Sequence, residues 1–194
     1  MATLPKPQVI EAICRTLSDS GPGQAAAVAR RDYPFTPSVR ISRRYGESRA
    51  LRLFLRDGFV DRYSGDQLIF PGVFRILSCI LPEEFPFHRN WKMSETHSAY
   101  WELFPTIDHL VPIARGGSDS DENWVTTSML HNTAKANWTI EELGWRLYPA
   151  GDLENWDGMA RWFLDFTGGH PEMLADAYVR RWYNAACLPL KPCR

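Results

Sequence analysis

The run from Thr106 to Lys135 constrains this chain more than any other: Thr-Ile-Asp-His-Leu-Val-Pro-Ile-Ala-Arg-Gly-Gly-Ser-Asp-Ser-Asp-Glu-Asn-Trp-Val-Thr-Thr-Ser-Met-Leu-His-Asn-Thr-Ala-Lys. Thr106 to Val111 is β-like, Gly116-Gly117 permits a sharp turn, Trp124 to Thr127 is β-like again, and a helix can begin near Ser128. Strand, loop, strand and helix are therefore expected in succession. The flanks read as helical. Leu51, Phe54 and Leu55 share a helix face behind Ser48, a candidate cap, with Gly58 at the stop; Val73, Phe74, Leu77, Ile80 and Leu81 repeat at helical spacing between Pro71 and Pro82. Thr139-x-x-Glu142 is a capping box. Val9, Ile13 and Leu17 predict a first helix ended by a flexible turn at Ser18 to Gly23, and two more helices are expected at 153–166 and 171–186. The expected fold is α+β, a small ββα core embedded in an α-rich single domain, divided as an N-terminal helix with a basic linker (1–46), a core (47–138) and a C-terminal helical extension (139–194).

Within the central run, Asp108 and His109 are adjacent, so on a strand they point to opposite faces unless the strand ends there. Asn132, on the helix, can bring a carboxamide oxygen near the Asp108 carboxylate. Two hard oxygen ligands with open positions suit Mg²⁺ or Mn²⁺, which retain waters and accept phosphate oxygens. Histidine titrates at about pH 6.5 and can take a proton from an attacking water near neutrality. That chemistry hydrolyses a phosphodiester.

These residues resemble the HNH nuclease family, whose ββα-metal (His-Me finger) motif has Asp-His on the first strand, Asn in the connecting loop and His or Asn on the helix. His109 and Asn123 lie 14 residues apart, Asn123 and Asn132 lie 9 apart, and Lys135 follows one turn later. The match is to domains with Asn in the third place and covers roughly Leu51 to Ala136. The resemblance implies Asp108 and Asn132 as metal ligands, His109 as general base, Asn123 as a brace for the loop that orients His109, and Lys135 or Arg115 as the cation facing transition-state charge. With a one-residue gap His131 would replace Asn132 as ligand, and its imidazole would admit Ni²⁺ or Zn²⁺; the ungapped register favours Asn132.

One departure stands out. Arg56-Asp-Gly-Phe-Val-Asp-Arg-Tyr-Ser-Gly65 resembles the segment that begins a structural zinc site in many family members, but Asp61 and Ser64 occupy the cysteine places, and Ser128 and His131 stand where the second pair falls. Without thiolates no structural zinc is expected. Phe59, Leu68, Ile69, Phe70 and the Trp-rich segments are the expected substitutes for the clamp.

Composition bounds the rest. At 44% hydrophobic and 23% charged with net charge -1, the chain is neither disordered nor collagen-like. It lacks a membrane-length apolar run and an export signal, so a cytoplasmic protein is expected, with Cys14, Cys79, Cys187 and Cys193 reduced. Nine arginines against four acids between Arg30 and Arg62 give that stretch +5. Arg40, Arg43, Arg44, Arg49 and Arg52 are candidate DNA-backbone contacts, although a solvated helix face has the same composition. Asp119, Asp121 and Asn123 have the alternate spacing of a calcium loop, but Trp124 and Leu130 occupy its Gly and Glu places, so an EF-hand is rejected. The Phe85–Trp101 aromatics read as core. Two rivals remain beside a DNA endonuclease: a DNA-binding module of the same fold without cleavage, and a nuclease for RNA or branched DNA. A two-fold dimer is the simplest way to cut both strands.

Overall fold

Gly21, at φ 79°, breaks the N-terminal helical stretch at a single residue. On either side run α1 (Lys6–Ser20) and α2 (Pro22–Asp32), which pack on each other. The flexible turn expected at Ser18 to Gly23 is thus corrected: Ser18 to Ser20 stay helical, and Pro22 opens α2 where its missing N–H is not needed. This computed structural model describes residues 5–35 and 45–190. Two units divide the chain, Met1–Arg40 and Ile41–Arg194. Arg40, Arg43 and Arg44 lie outside the described residues.

In the second unit α3 (Glu47–Arg56) starts at an N-cap of Gly46, two residues earlier than the Ser48 cap would give, and buries Leu51, Leu53 and Phe54. The α4 helix (Pro71–Ile80) follows with Pro71 in its first turn. After an irregular segment come α5 (Ala99–Glu102), β1 (Pro105–His109), β2 (Trp124–Ser128) and α6 (Met129–Lys135). The two strands are antiparallel, with Thr106 opposite Thr127, Asp108 opposite Val125 and His109 opposite Trp124. Ser128 caps α6 by accepting a hydrogen bond from the His131 N–H at 3.1 Å, and α6 packs back on both strands.

The short α7 (Ile140–Leu143) carries the Thr139/Glu142 capping box. The helix expected from Leu153 begins only at α8 (Ala160–Gly169), because Gly158 and Met159 both adopt positive φ and interrupt the turn. Likewise Pro171–Ala175 is a 3₁₀ turn, and Asp176 starts α9 (Ala177–Ala186) by accepting from the Tyr178 and Val179 N–H groups at 2.8 and 3.0 Å. These C-terminal helices are part of the second unit. α9 packs on α3 and α4, so Phe54, Phe59, Phe70, Phe163, Val179 and Trp182 close one core around Trp124. Each such side chain stabilises by about 1.5–3 kcal/mol when buried. Among the described residues no helix is long and apolar enough to cross a membrane.

Candidate active site

Strand β1 ends at His109, so the opposite-face rule for adjacent strand residues does not bind the Asp108–His109 pair. On the face toward α6, the buried Asp108 gathers its partners on Oδ2: the Tyr63 hydroxyl donates at 2.6 Å and the Lys135 ammonium stands at 3.0 Å. Burial and the Asp108 charge push the Tyr63 phenol well above its ordinary pKa, which keeps it a donor. Lys135 is fully buried and also donates to the His109 carbonyl at 2.7 Å. It is placed differently from the expected transition-state cation: with no exposed surface it holds the Asp108–His109 backbone and balances the carboxylate.

Asn132 reaches the same face. Its Nδ2 donates to Thr106 Oγ1 at 2.9 Å and to the Ile107 carbonyl at 3.2 Å. Asn132 is thereby seated on the strand that carries Asp108, and each of the two side chains offers a hard oxygen. Among the described residues no three His, Cys, Asp or Glu side chains come together as a metal cage. The donor set suits Mg²⁺ or Mn²⁺ drawing its remaining ligands from water and phosphate, and does not suit an ion that needs a full protein shell.

The His109 ring has partners of its own. Its Nε2 lies 2.9 Å from Asp119 Oδ1, and the Trp124 indole N–H is 2.9 Å from Nε2 and 3.1 Å from Asp119 Oδ1. Tyr45 also donates to that oxygen, at 2.5 Å. A carboxylate can only accept, so the arrangement is satisfied when Nε2 carries the proton and both N–H groups point at Asp119. Nδ1 then holds the lone pair. Slight desolvation raises the Asp119 carboxyl, and the hydrogen bonds from Tyr45, His109 and Trp124 outweigh it and hold it below the usual carboxylate range.

The loop between the strands is tied by Asn123, which accepts from the Val111 N–H at 2.9 Å and donates to the carbonyls of Val111 and Ser118 at 2.9 and 2.8 Å. These bonds brace loop backbone and do not touch the His109 ring. Gly117 completes the fit: a Cβ there would stand 1.9 Å from the Val111 carbonyl oxygen and 2.9 Å from Asn123 Nδ2. Gly117→Ala is therefore expected to destabilise the protein by about 1–3 kcal/mol, measured by urea unfolding, as overpacking does.

All three residues that stand at cysteine places near the hairpin, apart from Ser64, meet in one cluster. Buried Asp61 accepts from His131 Nδ1 at 2.7 Å, the Ser128 N–H at 2.8 Å, Thr127 Oγ1 at 2.9 Å and the Tyr63 N–H at 2.9 Å. Burial raises the Asp61 carboxyl, but these donors outweigh it and leave it below the usual carboxylate range. Apolar packing is thus joined by a polar cluster where a zinc clamp would stand. Phe59, Leu68 and Phe70 are buried, but a carboxylate joins the 61–64 turn to β2 and α6. The cluster also takes His131 Nδ1, so a Ni²⁺ or Zn²⁺ ligand at this residue would have to be Nε2.

The arginines divide. Arg56 and Arg62 serve buried Asp57, each at 3.0 Å, and backbone carbonyls of Asp121, Trp124 and Tyr148. Arg115 pairs with Glu142 beside Trp138, which ties the loop between the strands to α7. Arg49 and Arg52 are exposed on α3, Arg49 with its guanidinium 4.0 Å from the Trp124 ring centroid. Asp61, Tyr63, Asp119 and Trp124 escaped the sequence reading; the departures at the cysteine places were the one available signal for Asp61. Compared with known proteins, the chain matches no family model, no curated protein and no solved structure.

Proposed function

We propose that the protein is a metal-dependent endonuclease of the HNH type that hydrolyses DNA phosphodiester bonds. The observation that carries this reading is the seating of Asn132 on Thr106 and Ile107 of the strand that carries Asp108, with His109 at that strand's last position. His109 Nδ1 takes a proton from the attacking water, oxygen bonds to phosphorus, and the P–O3′ bond breaks with the electron pair leaving on the 3′ oxygen. When bound at Asp108 and Asn132, a divalent ion supplies charge stabilisation for that leaving oxygen. Asp119 and Trp124 fix the ring, and Lys135 and Tyr63 fix the carboxylate.

A nicking assay tests this. Supercoiled plasmid should relax in Mg²⁺ or Mn²⁺ and stay intact in EDTA; intact plasmid in every metal tried would overturn the proposal. RNA and junction substrates run beside it identify the preferred nucleic acid, and a rise in the linear product with protein concentration would mark a dimer. The buried Lys135 beside Asp108 favours a second reading, a DNA-binding module without cleavage, since the carboxylate is already neutralised. Salt-dependent binding with no nicking is its signature.

Arg49 and Arg52, with Arg56 and Asp121, line a cavity of about 100 Å³ beside Trp124's edge of the hairpin, a size for one phosphate group. Arg52→Ala is expected to weaken DNA binding equally across sequences and to reduce the slope of log K against log salt by about 1, measured by fluorescence anisotropy.

A further inference from the structure

A cavity of about 290 Å³ opens between α4, α9 and the irregular segment that precedes α5. Its walls are rings: Phe87, Trp91, Tyr100, Phe104 and Tyr178, with Pro71 at one edge and no Leu, Ile or Val among them. The ring planes differ widely, Trp91 standing at 84° to Phe104 and 90° to Tyr100, so a flat guest can meet one face and several edges at once. The aromatics expected to be core do pack as one, with Phe85, Phe87 and Trp91 against the buried Phe74 and Tyr100, and some of the same rings line the opening.

Three further observations select the guest. Arg75 and Arg89 line the same cavity; Arg75 is paired with Asp176 at 2.6 Å, whereas Arg89 is exposed and has no hydrogen bond or ion pair among the described residues. The guanidiniums exclude the cationic ligands that aromatic boxes otherwise hold and favour a planar group attached to an anion. Trp91 sits at φ 52°, a backbone conformation unfavourable for a bulky residue, in a turn closed by its N–H on the His88 carbonyl at 2.8 Å. Strain of this kind persists where a side chain must be presented. Phe104 immediately precedes β1, and Asp108 follows four residues on, roughly 13 Å at the rise of a strand. The volume is at the small end for ligand pockets, suited to one base and not to a helix.

We propose that this cavity holds a single nucleobase extruded from the DNA being cut, stacked on Trp91 with its flanking phosphate at Arg89. The inference rests on the nuclease reading, and its test separates the two. A short duplex carrying one bulged 5-iodouracil is bound in EDTA, where no cleavage occurs, and irradiated. The crosslink should fall on Trp91, Phe87 or Phe104. Trp91→Leu should lower affinity for the bulged duplex about tenfold relative to a fully paired one, while Trp91→Phe, which keeps a ring, should retain most of it. Arg89→Ala at the exposed rim gives a second variant that leaves the aromatic packing intact and should weaken the bulged duplex selectively. Crosslinks confined to α3 and β2, or equal binding of both duplexes by wild type and Trp91→Leu, would overturn the pocket even if plasmid is nicked. Selective crosslinking at Trp91 without nicking would keep the pocket and overturn the nuclease.

Discussion

His109→Ala is expected to slow single-turnover nicking by about 10²–10⁴-fold, the usual contribution of a positioned general base. DNA affinity measured in EDTA should stay within about twofold, because the candidate phosphate contacts Arg49 and Arg52 lie on another element. The argument is one of protons. Asp119 Oδ1 can accept from Tyr45, Trp124 and the His109 Nε2–H together, which fixes the ring and leaves Nδ1 as the basic nitrogen. Asp119→Asn would remove that anchor while leaving the imidazole, so its loss of rate should be smaller than that of His109→Ala. Equal rates for wild type and His109→Ala, with unchanged circular dichroism, would remove His109 from the mechanism.

The second large effect concerns stability. Asp61→Ala should destabilise the protein by about 3–5 kcal/mol, because it leaves the His131 ring, the Ser128 and Tyr63 N–H groups and the Thr127 hydroxyl without their buried acceptor. A thermal melt should show this as a fall of ~10 °C. The folded carboxyl is held below its unfolded value, so its contribution is present above the ordinary carboxylate pKa of about 3.9 and is lost as pH falls through the lower folded value. The gap between wild type and variant should therefore be full at neutral pH and narrow in acid. A gap that widens in acid, or a variant that melts with wild type at pH 7, would show that the cluster is incidental.

Much of the site's frame is legible in the chain because it is local. The β-like residue types before Gly116-Gly117 and after Asn123 set the hairpin, and Ser128 before Met-Leu-His-Asn sets the helix that carries Asn132. Pro71 and the Thr139/Glu142 pair mark helix starts by the same short-range chemistry. Failures came from partners distant in sequence. Nothing near Lys135 announces that its ammonium will meet Asp108 inside the protein, and only the folded chain brings Asp61 to His131. The aromatic loop was legible in part: Phe87 and Trp91 pack on the buried Phe74 and Tyr100 as their composition implies, while only their placement against α4 and α9 leaves a cavity between them. Arginine count misled, since Arg56 and Arg62 support the buried Asp57.

The Asp61 cluster has a consequence for how such a protein is maintained. A hairpin fastened by thiolates depends on a supply of zinc and is undone when an oxidant couples its sulfurs. Oxygen and nitrogen atoms hold the corresponding junction here, so chelation and peroxide leave its hydrogen-bonding groups untouched.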